Sequence, residues 1–125
     1  MLKTILLIGS GGFIGSVARY YVSKINLYIQ FLSIPVGTLL VNVLGCFIIG
    51  FLTGIVEQRT ILTVEWRMFL MVGFCGGFTT FSTFANENLM LLHNGLSYSA
   101  LLYTGASILL GFTAVYLGFN AASVI

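Results

Sequence analysis

Four stretches of this chain are each long and apolar enough to cross a lipid bilayer, and little is left over. A membrane helix takes about 20 mostly apolar residues. Such runs occupy roughly residues 4–22, 34–56, 66–92 and 98–120. The second and fourth carry no charge, and Pro35 suits the first turn of the second. Trp66 and Arg67 suit an interface at the start of the third. Hydrophobic residues make up 58% of the chain and charged ones 6%, against roughly 25% charged in ordinary soluble chains. Five basic and three acidic side chains cannot cover a water-soluble fold of this size. Lipid must solvate much of the surface. The expected architecture is one all-α integral membrane domain over residues 1–125, with short connectors and no room for a soluble domain. The N-terminus has one lysine before its apolar run, as a signal peptide does. No A-x-A-type cleavage site follows, so the first span is expected to be retained.

Several classes of function find no support. Lys3, Arg19, Lys24, Arg59 and Arg67 are scattered singly, so there is no nucleic-acid patch. Cys46 and Cys75 sit inside apolar runs without metal-ligand spacing. His93 is the sole histidine, and no serine–histidine–acid set is visible, so enzymatic chemistry has no home. The segment from Gly9 to Gly15 superficially matches a dinucleotide-binding glycine fingerprint. That fingerprint needs a preceding strand and an acidic residue about 20 positions on. The next acidic residue is Glu57. Glycine pairs at four-residue spacing, Gly11/Gly15, Gly50/Gly54 and Gly73/Gly77, let membrane helices approach closely. For the first two pairs packing is the better reading.

The basic residues are nearly balanced across the membrane. With the N-terminus on one side, Lys3, Arg59 and Arg67 share that side, while Lys24 and the near-membrane Arg19 face the other. Three against two sets no strong orientation by the positive-inside rule. Four short helices also enclose little space. Both points suggest a dimer, with an antiparallel one among the arrangements open to it.

The polar residues inside the spans are few. Thr38 and Asn42, four apart, share a face of the second helix. An asparagine amide in lipid needs a partner, and two readings stand: an interhelical hydrogen bond or a pore-lining group. In the third span, Gly76 and Gly77 weaken the helix, and Thr79, Thr80, Ser82 and Thr83 compete for backbone hydrogen bonds. A helix break here would free carbonyls that suit a hard cation, while hydroxyl and amide donors suit a small anion. Phe81 and Phe84 lie on one face, and aromatic ring edges are weakly positive. Tyr103 and Ser107 share a face of the fourth helix. Glu87 is the one carboxylate placed to reach the membrane interior; a functional role and snorkelling to the interface both fit it.

The run Gly76-Gly77-Phe78-Thr79-Thr80-Phe81-Ser82-Thr83-Phe84 resembles the signature of the Fluc (also called CrcB) fluoride channels. The stretch from Gly37 to Asn42, with Gly45 and Gly50, is similar to that family's second-helix motif. Gly12, Gly15, Arg19 and Tyr20 are similar to its first. The resemblance covers the whole chain. It implies a dual-topology antiparallel homodimer with two fluoride pathways and a break in the third helix. It also implies a structural sodium ion at the dimer centre, held by the backbone carbonyls of Gly76 and Thr79. Along each pathway it implies Phe81, Phe84 and Asn42, with Thr38, Ser82, Thr83, Tyr103, Ser107 and Arg19 along or near it. A serine that some members carry four positions beyond Ser107 is Gly111 here.

The function this implies is passive, fluoride-selective export across the cell membrane, protecting the cell from fluoride. The alternative is a proton-coupled dual-topology small transporter using Glu87. That design expects a carboxylate deep in an early helix, and the first two spans have none. A purely structural membrane subunit is the third option.

Overall fold

The computed structural model describes residues 1–59 and 61–125. Four helical spans dominate it. With no water in the hydrocarbon layer, each backbone amide needs a partner inside the protein, and helices supply most of them within one segment. The first span is α1 (Leu2–Ser23), extended by a 3₁₀ turn at Lys24–Leu27. The second is α2 (Val36–Gln58). The third begins with α3 (Val64–Arg67), continues as a π-helical stretch over Met68–Cys75 and then as α4 (Gly76–Phe78). After Thr79 and Thr80 it resumes as α5 (Phe81–His93). The fourth is α6 (Ser97–Ala121). The segments Leu2–Leu27, Val36–Gln58, Val64–His93 and Ser97–Val124 are long and apolar enough to cross a membrane.

The connectors refine the boundaries expected from hydropathy. Residues 24–35 hold a two-stranded antiparallel hairpin, β1 (Gln30–Phe31) against β2 (Ile34–Pro35). Its two loop residues, Leu32 and Ser33, have φ of 53° and 63°, the left-handed geometry of tight two-residue hairpins. Pro35 is the N-cap of α2 rather than its first helical residue. Thr63 caps α3 by accepting the Trp66 N–H at 3.4 Å. That cap starts the third span two residues earlier than hydropathy alone suggests.

Glycines set the packing. A Cβ on Gly11 or Gly15 would run into the backbone at Phe69 or Phe74, and one on Gly73 or Gly77 would meet Ile8 or Gly12. The first and third spans therefore touch backbone to backbone, and the Gly73/Gly77 pair is a packing device like the other two. α2 lies along α6 in the same way: Gly50 abuts Val115, Gly54 abuts Phe119, and Gly118 abuts Phe47. Such contact is the usual source of association between helices in lipid, where burial of apolar surface offers little. Large apolar side chains on the outer face of α6, Leu109 and Tyr116, are exposed as a lipid-facing surface requires.

Candidate functional site

The site is organised around Thr79 and Thr80. Both are extended, with φ/ψ of −81°/157° and −150°/119°. The turn before them closes normally, since Thr79 N–H donates to the Cys75 carbonyl at 3.0 Å. The next amides are diverted to side chains. Thr80 N–H donates to Asn42 Oδ1 at 2.8 Å, and Thr83 N–H donates to Thr80 Oγ1 at 3.2 Å. In an uninterrupted helix those two amides would satisfy the Gly76 and Thr79 carbonyls. Thr80 is thus the N-cap of α5, and Asn42 replaces the missing helical partner.

Asn42 does this with both ends of its carboxamide. Its Nδ2 also donates to the Thr80 carbonyl, at 3.1 Å. Of the two readings the sequence left open, the interhelical bond is present. The second Nδ2 hydrogen is not used in that bond, and Asn42 also borders an open groove of about 510 Å³. Gly45, one turn further along α2, permits the approach, because a Cβ there would strike the Thr79 side chain.

Thr79, Phe81, Phe84 and Ser107 line the same groove. Phe81 is 78% exposed, so its ring stands open in a single chain. The Phe81 and Phe84 rings lie 5.8 Å apart, and Phe84 meets Tyr103 edge-on at 5.0 Å. The Ser107 hydroxyl is buried without a hydrogen-bond partner among the described residues, a state that costs about 1–3 kcal/mol. Gly111 borders the groove too, and a Cβ there would make only ordinary contact with Cys46.

Beside the groove is a second polar cluster. Thr38, 1% exposed, donates its hydroxyl to Glu87 Oε2 at 3.0 Å. Tyr103, 0% exposed, donates to Glu87 Oε1 at 3.0 Å. Glu87 is held inward by hydroxyls from two other helices and does not snorkel. One residue further along both helices, Thr104 Oγ1 donates to Asn88 Oδ1 at 3.0 Å.

The similarity of this chain to known proteins spans nearly all of it. The family described as "CrcB-like protein, Camphor Resistance (CrcB)" matches residues 6–119. The chain belongs to the CrcB family. Relatives in that family include a protein of Azobacteroides pseudotrichonymphae, 44% identical over 95% of each chain. Another, from Pyrococcus abyssi, is 46% identical over 97% of each chain. A third, from Chlorobium chlorochromatii, is 46% identical over 94% of this chain and 91% of its own. All three are named fluoride-specific ion channel. Relatives named as ion channels agree with the absence of a catalytic constellation in the sequence.

In this CrcB-family chain, Asn42, Phe81, Phe84, Ser107, Gly76 and Thr79 converge on one groove. Thr38 and Tyr103 are drawn instead to Glu87. Ser82 is exposed at the start of α5, its hydroxyl 3.4 Å from Thr80 Oγ1. Thr83 is also exposed, and neither lines the groove. Arg19 on α1 lies outside both clusters. Two participants were absent from the expected set. Thr80 stood in the sequence only as one of four hydroxyl residues; its one signal is that threonine is a preferred N-cap type. Asn26, which contacts Thr38, lies in a connector and carries no such signal.

Proposed function

We propose that this chain is a passive fluoride-selective channel, working as an antiparallel homodimer in the cell membrane and relieving the cell of fluoride. The observation that carries this reading is near full-length similarity to relatives named fluoride-specific ion channel. The groove chemistry supports it. Fluoride is small and strongly hydrated, so a path for it must offer close hydrogen-bond donors. Asn42 and Ser107 carry donors at the groove, Ser82 and Thr83 carry them at the start of α5, and Phe81 and Phe84 offer weakly positive ring edges. The donors bind, and the rings set the bore. Phe81 and Gly76 are exposed in a single chain, which fits a groove completed by a second copy. An inside-negative potential drives the anion outward by about 2.3 kcal/mol per charge per 100 mV.

A structural sodium ion belongs to the same proposal. The Gly76 and Thr79 carbonyls fit it, because the amides four residues on, Thr80 and Thr83, are bonded to side chains. Two symmetry-related pairs would supply four neutral oxygen dipoles, suited to a monovalent cation. No group of three or more metal-ligating side chains is present among the described residues to favour a divalent one. When bound, the ion would satisfy these carbonyls and fix a positive charge at the dimer centre.

The test is fluoride efflux from liposomes holding the purified protein, with chloride as the control anion and potassium gradients clamped by valinomycin. Fluoride efflux that is fast, electrogenic and independent of a pH gradient is expected, with chloride retained. Efflux that requires a proton gradient would favour the transporter built on Glu87. Sodium removal should weaken the dimer, measured by size-exclusion chromatography after prolonged dialysis.

A further inference from the structure

Asn26 lies in the 3₁₀ turn after α1, outside every motif of the sequence, yet three hydrogen bonds tie it to the start of α2. Its Oδ1 accepts the Gly37 N–H at 2.5 Å and the Thr38 N–H at 3.3 Å. These are first-turn amides that a helix cannot satisfy internally. Its Nδ2 donates to Thr38 Oγ1 at 3.2 Å. Gly37 makes the approach possible, since a Cβ there would lie 2.8 Å from Asn26 Oδ1.

The carboxamide can face only one way. Backbone N–H groups are donors, so the atom receiving two of them must be the oxygen, and the nitrogen must face Thr38. A threonine hydroxyl has one proton. Because Thr38 Oγ1 accepts from Asn26, its own proton is free to go to Glu87 Oε2, 3.0 Å away. Tyr103 supplies the matching donor to Oε1. A directional chain therefore runs from the connector, Asn26 to Thr38 to Glu87, where it meets the opposing donor Tyr103, whose ring lies against Phe84.

We propose that Asn26 is a positioning residue for conduction: its carboxamide aims the Thr38 hydroxyl at Glu87 and so sets the donor arrangement beside the fluoride path. The inference rests on the fluoride-channel reading above. Among the described residues Asn26 hydrogen-bonds to none that lines the groove, and it acts through Thr38. A purely structural role would be capping of α2, and that role separates cleanly from positioning. Asn26→Asp keeps an oxygen for the Gly37 and Thr38 amides and so keeps the cap. It replaces the Nδ2 donor with an acceptor that draws the Thr38 proton away from Glu87. Asn26→Ala loses both functions.

The experiment measures liposomal fluoride efflux and detergent-micelle melting for wild type and both variants. Efflux is read at about 0.01 M and about 1 M potassium gluconate, where the screening length falls from about 30 Å to about 3 Å. Asn26→Asp is expected to melt like wild type and to slow efflux roughly tenfold at both ionic strengths, the scale of one lost hydrogen bond. Asn26→Ala is expected to lose both stability and efflux. Efflux of Asn26→Asp within roughly twofold of wild type overturns the proposal. So does slowing that recovers at high ionic strength, which is charge repulsion at the mouth. A melting loss in Asn26→Asp equal to that of Asn26→Ala reduces Asn26 to a structural residue. If wild type itself fails to move fluoride, the channel reading falls first and takes this inference with it.

Discussion

Replacing Asn42 by aspartate changes one atom and should stop conduction, for a reason the geometry makes specific. The carboxamide pairs with both backbone groups of Thr80, at 2.8 and 3.1 Å. Aspartate keeps the acceptor for Thr80 N–H. It loses the donor to the Thr80 carbonyl and sets a carboxylate oxygen against a carbonyl oxygen at hydrogen-bond distance. The Thr80 carbonyl keeps its helical bond as the N-cap of α5, so the lost bond alone costs about 0.5–1.5 kcal/mol, before any repulsion between the two oxygens. The position also borders the groove, so a negative charge there opposes an entering anion. Asn42→Ala removes both bonds and also leaves the Thr80 N–H without an acceptor, and should destabilise by about 2–4 kcal/mol. Melting in micelles and fluoride efflux from liposomes separate the effects. Asn42→Asp should lose all measurable efflux while melting above Asn42→Ala. Wild-type efflux and melting in Asn42→Asp would refute both the clamp on Thr80 and the place of Asn42 on the path.

Other perturbations test separate parts of the structure. Phe81→Ile removes the open ring edge at the groove and should slow fluoride efflux roughly threefold to tenfold; Phe74→Ile, whose ring stacks on Phe78 at 5.5 Å away from the groove, should leave efflux near wild type. Equal slowing in both would mean the rings act only through packing. Gly50→Ala places a methyl against the Val115 backbone and should lower stability by about 1–3 kcal/mol. Gly9→Ala meets nothing within 4 Å and should be neutral or gain up to about 1 kcal/mol from helix propensity; similar melting of the two variants would refute the glycine contact. Accessibility labelling of cysteines introduced at the termini should find each terminus on both sides of the membrane, given the three-against-two basic count. Lysines added to one connector should then bias insertion and cut activity until an oppositely biased copy is co-expressed. A single uniform orientation of the unmodified chain would count against the antiparallel dimer.

The spans and the lipid-facing composition were legible in the sequence because hydropathy is a local property. Any window of about 20 apolar residues reports its solvent without reference to the rest of the chain. The Gly76–Phe84 run likewise announced itself, since adjacent glycines followed by hydroxyl side chains are an unusual composition for a membrane helix. Partner choice was not legible. Asn42 meets Thr80 across 38 positions, and Thr38 meets Glu87 across 49. Those pairings depend on how α2 seats against the third span, which Gly45 permits by leaving room for the Thr79 side chain. The sequence left Asn42 divided between a clamp and a donor, and Glu87 between the core and the interface. Tertiary packing gave Asn42 the clamp and drew Glu87 inward, because a polar group deprived of water takes whatever partner the neighbouring helix brings within about 3 Å. It also drew in Asn26, a connector residue with no signal of its own, because the first amides of α2 needed an acceptor and the chain folded one back onto them.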